Sequence, residues 1–197
     1  AEFSPRQNHQ VKTIDNKLWL FGGNGQDNNK YDVWNSVDGI NWQEVTENID
    51  FTTNKKFHVA SLNEKIWIIT GVTNQHTGVL SSDDGLSWTQ SVIGGGIPSR
   101  YAHQQVNFDG KLWVIGGFDG DFHNDIWSSE DGETWKQELK HAAFSARAAH
   151  SVIEFNDKLW LIGGIGDDRQ NKNDIWSSLD GITWVKEVEH AEFSARY

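Results

Sequence analysis

Lys158-Leu159-Trp160-Leu161-Ile162-Gly163-Gly164 opens a set of words that continues with Asp174-Ile175-Trp176, Asp180-Gly181 and Trp184. The same words stand at residues 17–23, Asp32-Val33-Trp34, Asp38-Gly39 and Trp42, and again at residues 111–117, Asp125-Ile126-Trp127, Asp131-Gly132 and Trp135. A worn copy lies between them: Lys65-Ile66-Trp67-Ile68-Ile69-Thr70-Gly71, Val79-Leu80, Asp84-Gly85 and Trp88. The leading tryptophans Trp19, Trp67, Trp113 and Trp160 are 48, 46 and 47 residues apart. A period of this length decides the architecture, because each unit must bury its apolar face against a neighbour of the same kind.

Each repeat divides into four short segments. The first begins at a histidine (His9, His58, His103, His150) and mixes polar with apolar residues, as a strand beside a wet channel would. Asp15-Asn16, Asn63-Glu64, Asp109-Gly110 or Asn156-Asp157 then provides a two-residue hairpin turn. The second segment, such as Leu18-Trp19-Leu20-Phe21, is apolar throughout, which suits a strand covered on both faces. The third carries Asp-Val/Ile-Trp. The fourth, such as Trp135-Lys136-Gln137-Glu138-Leu139, alternates and should meet solvent on one side. No segment shows a helical period, so the spacing predicts an all-β chain: a β-propeller of four-stranded antiparallel blades. The blades fall at about 3–48, 49–94, 95–140 and 141–190 within one array over 1–197, and 191–197 reads as the start of a fifth repeat or a ring-closing segment.

The Gly-Gly doublet, the downstream Trp and the preceding Ser-x-Arg-x-x-His resemble kelch-repeat β-propellers, and the Trp-Ser-Ser-x-Asp-Gly-x-x-Trp form resembles their bacterial style. The resemblance covers essentially the whole chain and implies four strands per blade and partner binding on the loop-rich face. The second copy departs from it: Thr70 replaces the first glycine, Leu80 the tryptophan and Lys55 the arginine. Oxidases built on kelch propellers use a cysteine-modified tyrosine beside copper, and a chain with no cysteine excludes that chemistry.

Composition bounds the rest. A formal net charge of -11, with no basic run, argues against nucleic acid and anionic membrane surfaces, whose affinity rests on clustered Lys and Arg. No apolar run approaches the roughly 20 residues of a membrane span. Zero cysteines exclude disulfides and thiolate metal sites. No leader is visible at the start, so the chain is cytoplasmic or already processed. The compartment stays open, leaning towards extracellular or periplasmic.

Candidate residues each carry two readings. Arg6, Arg100 and Arg147 stand three residues before the strand-opening histidine, and Arg196 holds the same phase. A guanidinium fork suits a ligand carboxylate, but recurrence favours a clamp within the scaffold. The four histidines could ring a transition metal, yet no carboxylate sits at ligand spacing, and packing against a loop carbonyl is the plainer account. Asp119 with Asp121, and Asp167 with Asp168, invite calcium, but the alternating Asp pattern closed by Glu is absent. Neither metal nor cofactor is expected. No Gly-x-Ser-x-Gly, His-Glu-x-x-His or phosphate-cradling loop occurs, so no catalytic residue can be named.

Strand order places the short turns on one face. The connections after Gly-Gly and between blades, at 72–77, 118–124, 165–173, 92–98 and 46–54, lie on the other. Long, unlike loops on a repetitive scaffold are where recognition sits. The expectation is a non-catalytic binding module for a protein or peptide, with Arg100, Arg147, Asp119, Asp121, His123, Asp168 and Arg169 as ligand-binding candidates. A carbohydrate-binding protein is the alternative, with Asp167, Asp168, Gln170 and Asn171 as polar contacts; an enzyme like the kelch-type sugar epimerases comes third. Three readings of the ring stay open: a section of a longer protein, which the second copy of the opening favours, a closed four-bladed ring, or a homodimer completing a larger ring of eight blades.

Overall fold

The computed structural model describes residues 2–26, 29–49, 57–70, 78–91 and 96–196, and among them every regular element is a strand. The first blade contains β1 (Gln10–Ile14), β2 (Lys17–Asn24), β3 (Asn29–Ser36) and β4 (Gln43–Thr46). The second contains β5 (Phe57–Leu62), β6 (Lys65–Thr70), β7 (Gly78–Ser82) and β8 (Thr89–Ser91). The third contains β9 (Gln104–Phe108), β10 (Lys111–Phe118), β11 (Phe122–Ser129) and β12 (Lys136–Leu139). A two-residue pair, β13 (Arg147–Ala148) with β16 (Ile165–Gly166), accompanies the fourth blade of β14 (Ser151–Phe155), β15 (Lys158–Ile162), β17 (Ile175–Ser178) and β18 (Trp184–Val188). Each blade is an antiparallel sheet in chain order, and the innermost strands neighbour one another as β1, β5, β9 and β14. The chain is an all-β propeller of four four-stranded blades.

Local chemistry explains the strands' ends. Asp15-Asn16, Asn63-Glu64, Asp109-Gly110 and Asn156-Asp157 all adopt positive φ at both positions, the conformation that lets a two-residue turn follow the twist of its strands. At the same end of the blade, where the third strand stops, Ser36 Oγ accepts the Gly39 N–H at 2.9 Å, while Asp38 Oδ1 accepts those of Ile40 and Asn41, each at 2.8 Å. These backbone donors hold the Asp38 carboxyl far below the usual carboxylate range. Trp42 Nε1 then donates to Gly39 O at 3.3 Å. The same knot is tied at Ser82, Ser129 and Ser178. Ser-x-Asp-Gly-x-x-Trp is thus a self-contained turn, which accounts for its recurrence.

The core lies between blades. One apolar cluster joins Trp19 and Phe21 of blade one to Val59, Ile66 and Ile68 of blade two. A second joins Trp67 and Ile69 to Leu112, Val114 and Trp135. A third joins Trp113 and Ile115 to Leu159, Leu161 and Trp184. In each, the leading tryptophan of one blade lies on the Asp-Gly turn of the next. A Cβ on Gly85 would come 2.4 Å from Trp19 Cζ3, one on Gly132 2.5 Å from Trp67 Cζ2, and one on Gly181 2.6 Å from Trp113 Cη2. Glycine is required there by the indole above it as well as by its positive φ.

Candidate functional site

The recurring arginines decide what remains for a ligand. Arg147 lies with β13 and is 0% exposed. Its Nη1 and Nη2 donate to Asp174 Oδ1 and Oδ2 at 2.7 and 2.8 Å. Nη1 also reaches Gly163 O, Nη2 reaches Ser145 Oγ, and Nε reaches Ser145 O. All five N–H groups are consumed within the protein. Trp176 Nε1 donates to the same Asp174 carboxylate at 2.8 Å. Arg100, 1% exposed, makes the same fork to Asp125, with Trp127 Nε1 on Oδ2 at 2.8 Å. Arg6 repeats it on Asp32 with Trp34. Burial raises the carboxyls of Asp32 and Asp174, but hydrogen bonds from Arg6 and Trp34, and from Arg147 and Trp176, outweigh it and hold both below their ordinary values.

The structure therefore places Arg100 and Arg147, both among the ligand-binding candidates, in clamps inside their own blades, with the guanidinium forks on Asp125 and Asp174. The aspartate that completes each clamp is the first letter of Asp-Val/Ile-Trp, which reads in the sequence only as a strand motif. The second repeat carried the signal, because there Lys55, Gly78 and Leu80 replace arginine, aspartate and tryptophan together. Lys55 itself lies outside the described residues.

The connection between β10 and β11 holds two candidates, and the start of β11 holds a third, His123. Asp119 and Asp121 are exposed on a tight turn in which Asp119 N–H donates to Asp121 O and Asp121 N–H to Asp119 Oδ1, each at 3.2 Å. His123 Nε2 lies 2.9 Å from Asp119 Oδ1. Partial burial raises the Asp119 carboxyl, and contact with His123 and the Asp121 amide more than reverses this. At the root of the turn three rings meet edge to face: Tyr101 with Phe118 at 5.3 Å and Phe118 with Phe122 at 4.8 Å. The Tyr101 and Phe118 backbones pair across the strand edge, and Tyr101 is exposed. The backbone pairing beneath this aromatic step recurs as Gln7 with Asn24 and Ala148 with Ile165, but no other repeat carries the aromatic side chains, so the sequence does not mark the step.

The fourth blade presents Asp168 and Arg169 on the loop between β16 and β17. Both are exposed, and Arg169 has a φ of +59°. Asp168 binds Lys172 Nζ at 2.6 Å and the Gln170 amide at 2.9 Å, which together lower its carboxyl. Beside this loop a cleft of about 600 Å³ runs between blades three and four, lined by Asn124, Phe144, Lys172, Asn173, Lys186 and Glu189 among others. Two asparagines frame the adjoining connections: Asn124 Nδ2 donates to Ala142 O and Phe144 O, and Asn173 Nδ2 to Ala191 O and Phe193 O. No hydrogen bond or ion pair joins the two candidate loops among the described residues. Residues 72–77, and parts of 24–31, 46–54 and 92–98, lie outside those described.

The histidines line the axis unequally. His9 is exposed, His58 is partly covered and lies tilted against His103 with ring centres 4.8 Å apart, and His103 and His150 are buried. Their ring nitrogens approach the backbone of Arg100 and Ile115 without reaching full hydrogen-bond geometry. Burial pushes His150 down to about 3, with Arg147 adding to it, and His58 down to about 4, with Lys12 adding to it. At neutral pH these rings are uncharged. Among the described residues no three His, Asp or Glu side chains form a group able to hold a metal ion.

No curated protein matches the chain. A model of the DUF6242 beta propeller domain matches residues 36–147, from the end of β3 to the arginine that opens blade four. The match spans more than half of the sequence and includes the clampless second repeat together with the complete third. The chain belongs to the family of the DUF6242 beta propeller domain.

Proposed function

We propose that the chain works as a kelch-type binding module that takes a protein or peptide on its loop-rich face, over the third and fourth blades. The observation that carries this reading is the step of Tyr101, Phe118 and Phe122 with Asp119 and Asp121 at its lip. An exposed tyrosine and two half-buried phenylalanines next to exposed carboxylates supply both the apolar anchor and the charge that interface hot spots use. The repeated polar groups are spent inside the scaffold, so the side chains that differ between blades are those left to recognise something. Acidic lips favour a partner segment that brings an apolar or aromatic residue flanked by Lys or Arg.

Selection of a random displayed-peptide library on the whole chain tests this. Enriched peptides should carry that pattern. Asp119→Ala with Asp121→Ala, or Tyr101→Ala, should weaken the best peptide by about tenfold or more, the effect of losing roughly 1.4 kcal/mol or more at a hot spot. Glu64→Ala with Glu133→Ala, on the short-turn face, should leave it unchanged. No enrichment, or a loss only in the second pair, refutes the reading, and a glycan-array signal removed by the loop variants would put a sugar in the peptide's place.

A further inference from the structure

Six Asp-Gly pairs occur in the chain: Asp38-Gly39, Asp84-Gly85, Asp109-Gly110, Asp119-Gly120, Asp131-Gly132 and Asp180-Gly181. The dipeptide carries its own reagents. The glycine nitrogen can attack the aspartate Cγ, and no side chain on the glycine blocks the approach. Four of the six are tied into the Ser-x-Asp-Gly turns that follow the third strands. There the glycine N–H is donated to a serine Oγ at 2.8–2.9 Å. The aspartate Oδ1 accepts the two backbone N–H groups after the glycine at 2.6–2.8 Å. Nucleophile and electrophile are both engaged elsewhere.

Asp119-Gly120 and Asp109-Gly110 are built differently. Both pairs are exposed, and a Cβ on either glycine would meet nothing within 4 Å. Among the described residues neither the Gly110 nor the Gly120 N–H makes a hydrogen bond. Asp119 Oδ1 takes the Asp121 N–H at a long 3.2 Å, and Oδ2 has no hydrogen bond among the described residues. His123 Nε2 stands 2.9 Å from Oδ1. An imidazolium in that place can hand a proton to the oxygen that has to leave.

We propose that Asp119-Gly120 is a site of spontaneous backbone modification to isoaspartate, with Asp109-Gly110 as the second site and the four knotted pairs protected. The Gly120 nitrogen bonds to Asp119 Cγ. Its proton and one carboxyl oxygen leave as water, with His123 protonating that oxygen and regaining the proton from the nitrogen. A water molecule then opens the cyclic imide at its main-chain carbonyl. The chain now runs through Cγ and is one methylene longer, and the former α-carboxyl has become the side chain. One water is lost and one gained, so mass and charge end unchanged. The added methylene falls between β10 and β11, beside Phe118 and Phe122, and moves the carboxylate at that lip. The chemistry needs no partner and holds whatever this face binds.

Warm storage of the whole folded chain at pH 7 for several weeks, followed by peptide mapping with electron-transfer fragmentation, tests the proposal. Such fragmentation tells isoaspartyl from aspartyl at equal mass, and deamidation at Asn24-Gly25 would show instead as added mass. Isoaspartate should accumulate at Asp119 and then at Asp109. At Asp38, Asp84, Asp131 and Asp180 it should form about tenfold more slowly or less, the factor set when reaction waits for a local opening that costs about 1.4 kcal/mol. In guanidinium chloride, where the knots are gone, all six pairs should react at similar rates. His123→Gln should slow the folded chain severalfold at Asp119 and leave Asp109, the internal reference, unchanged. Isoaspartate spread evenly over the six pairs of the folded chain overturns the proposal. So does its absence from Asp119 in a folded chain whose unfolded form makes it there. A His123→Gln variant that reacts at Asp119 as fast as wild type overturns the part given to the imidazole.

Discussion

Removing one carboxylate from a clamp should cost more than removing the whole clamp. In Asp125→Ala the Arg100 guanidinium, 1% exposed, loses both fork contacts and keeps only the Pro98 and Gly116 carbonyls. The Trp127 N–H loses its acceptor as well. An uncompensated buried charge costs about 3–5 kcal/mol, which for a chain of this size lowers Tm by roughly 6–20 °C. The paired variant Arg100→Met with Asp125→Leu takes both charges out of the interior and replaces them with side chains of similar reach, so it should recover about 2 kcal/mol or more of that loss. Urea unfolding at pH 7, followed by tryptophan fluorescence, gives the order wild type, paired variant, single variant. A single variant costing less than about 1 kcal/mol, or a paired variant no better than the single one, would refute the idea that the clamp matters through charge compensation.

Three further outcomes follow from the same geometry. Partly covered His58 and buried His150 have lowered pKa values, so between their folded values near 4 and 3 and the unfolded value of about 6.5 the unfolded chain binds more protons. Stability should then fall by about 1.4 kcal/mol per pH unit for each such ring as pH drops from about 6.5 towards 4, and His150→Gln should flatten urea midpoints measured at pH 7, 6 and 5; a pH-independent midpoint in wild type would contradict this. The lowered carboxyls of Asp32 and Asp174 act in the opposite range, adding stability above the unfolded Asp value near 3.9 and losing it in stronger acid. Gly132→Ala forces a methyl against Trp67 at a φ of +78° and should cost roughly 2–4 kcal/mol, whereas Gly39→Ala, with only Leu18 at 3.4 Å, should cost about 1 kcal/mol. Equal thermal shifts in the two would argue against the indole-on-turn contact. Asn124→Ala frees the Ala142 and Phe144 carbonyls and should lower the urea midpoint by the equivalent of about 1–3 kcal/mol.

What the sequence made legible was whatever it repeated. The period placed the strands, the all-apolar Leu18-Trp19-Leu20-Phe21 named a strand covered on both faces, and the Asp/Asn pairs named the hairpins. The arginines were legible as clamps only in part, since recurrence pointed to scaffold but the partner lay 25 to 27 residues downstream. That aspartate is adjacent in space through the strand that doubles back between them. The candidate site was less legible for the converse reason. Asp119, Asp121, Asp168 and Arg169 were visible as loop residues, but the ring contacts of Tyr101, Phe118 and Phe122 ride on a backbone pairing that the other blades make with Gln7 and Asn24, or Ala148 and Ile165. The pairing is periodic and the aromatic side chains on it are not, so the repeat hides them.

The indole-on-turn seam gives the array a direction. Each blade's leading tryptophan is covered by a turn that lies about 65 to 70 residues later in the chain. During vectorial synthesis the ribosome releases the indole long before its cover, so a newly made blade keeps an apolar face in water until its successor has emerged and hairpinned. Every blade is in this sense finished by the next one, and maturation advances one unit behind elongation. A pause or truncation within any repeat leaves its predecessor, already fully translated, as the species with exposed tryptophan, and quality control would meet that species first.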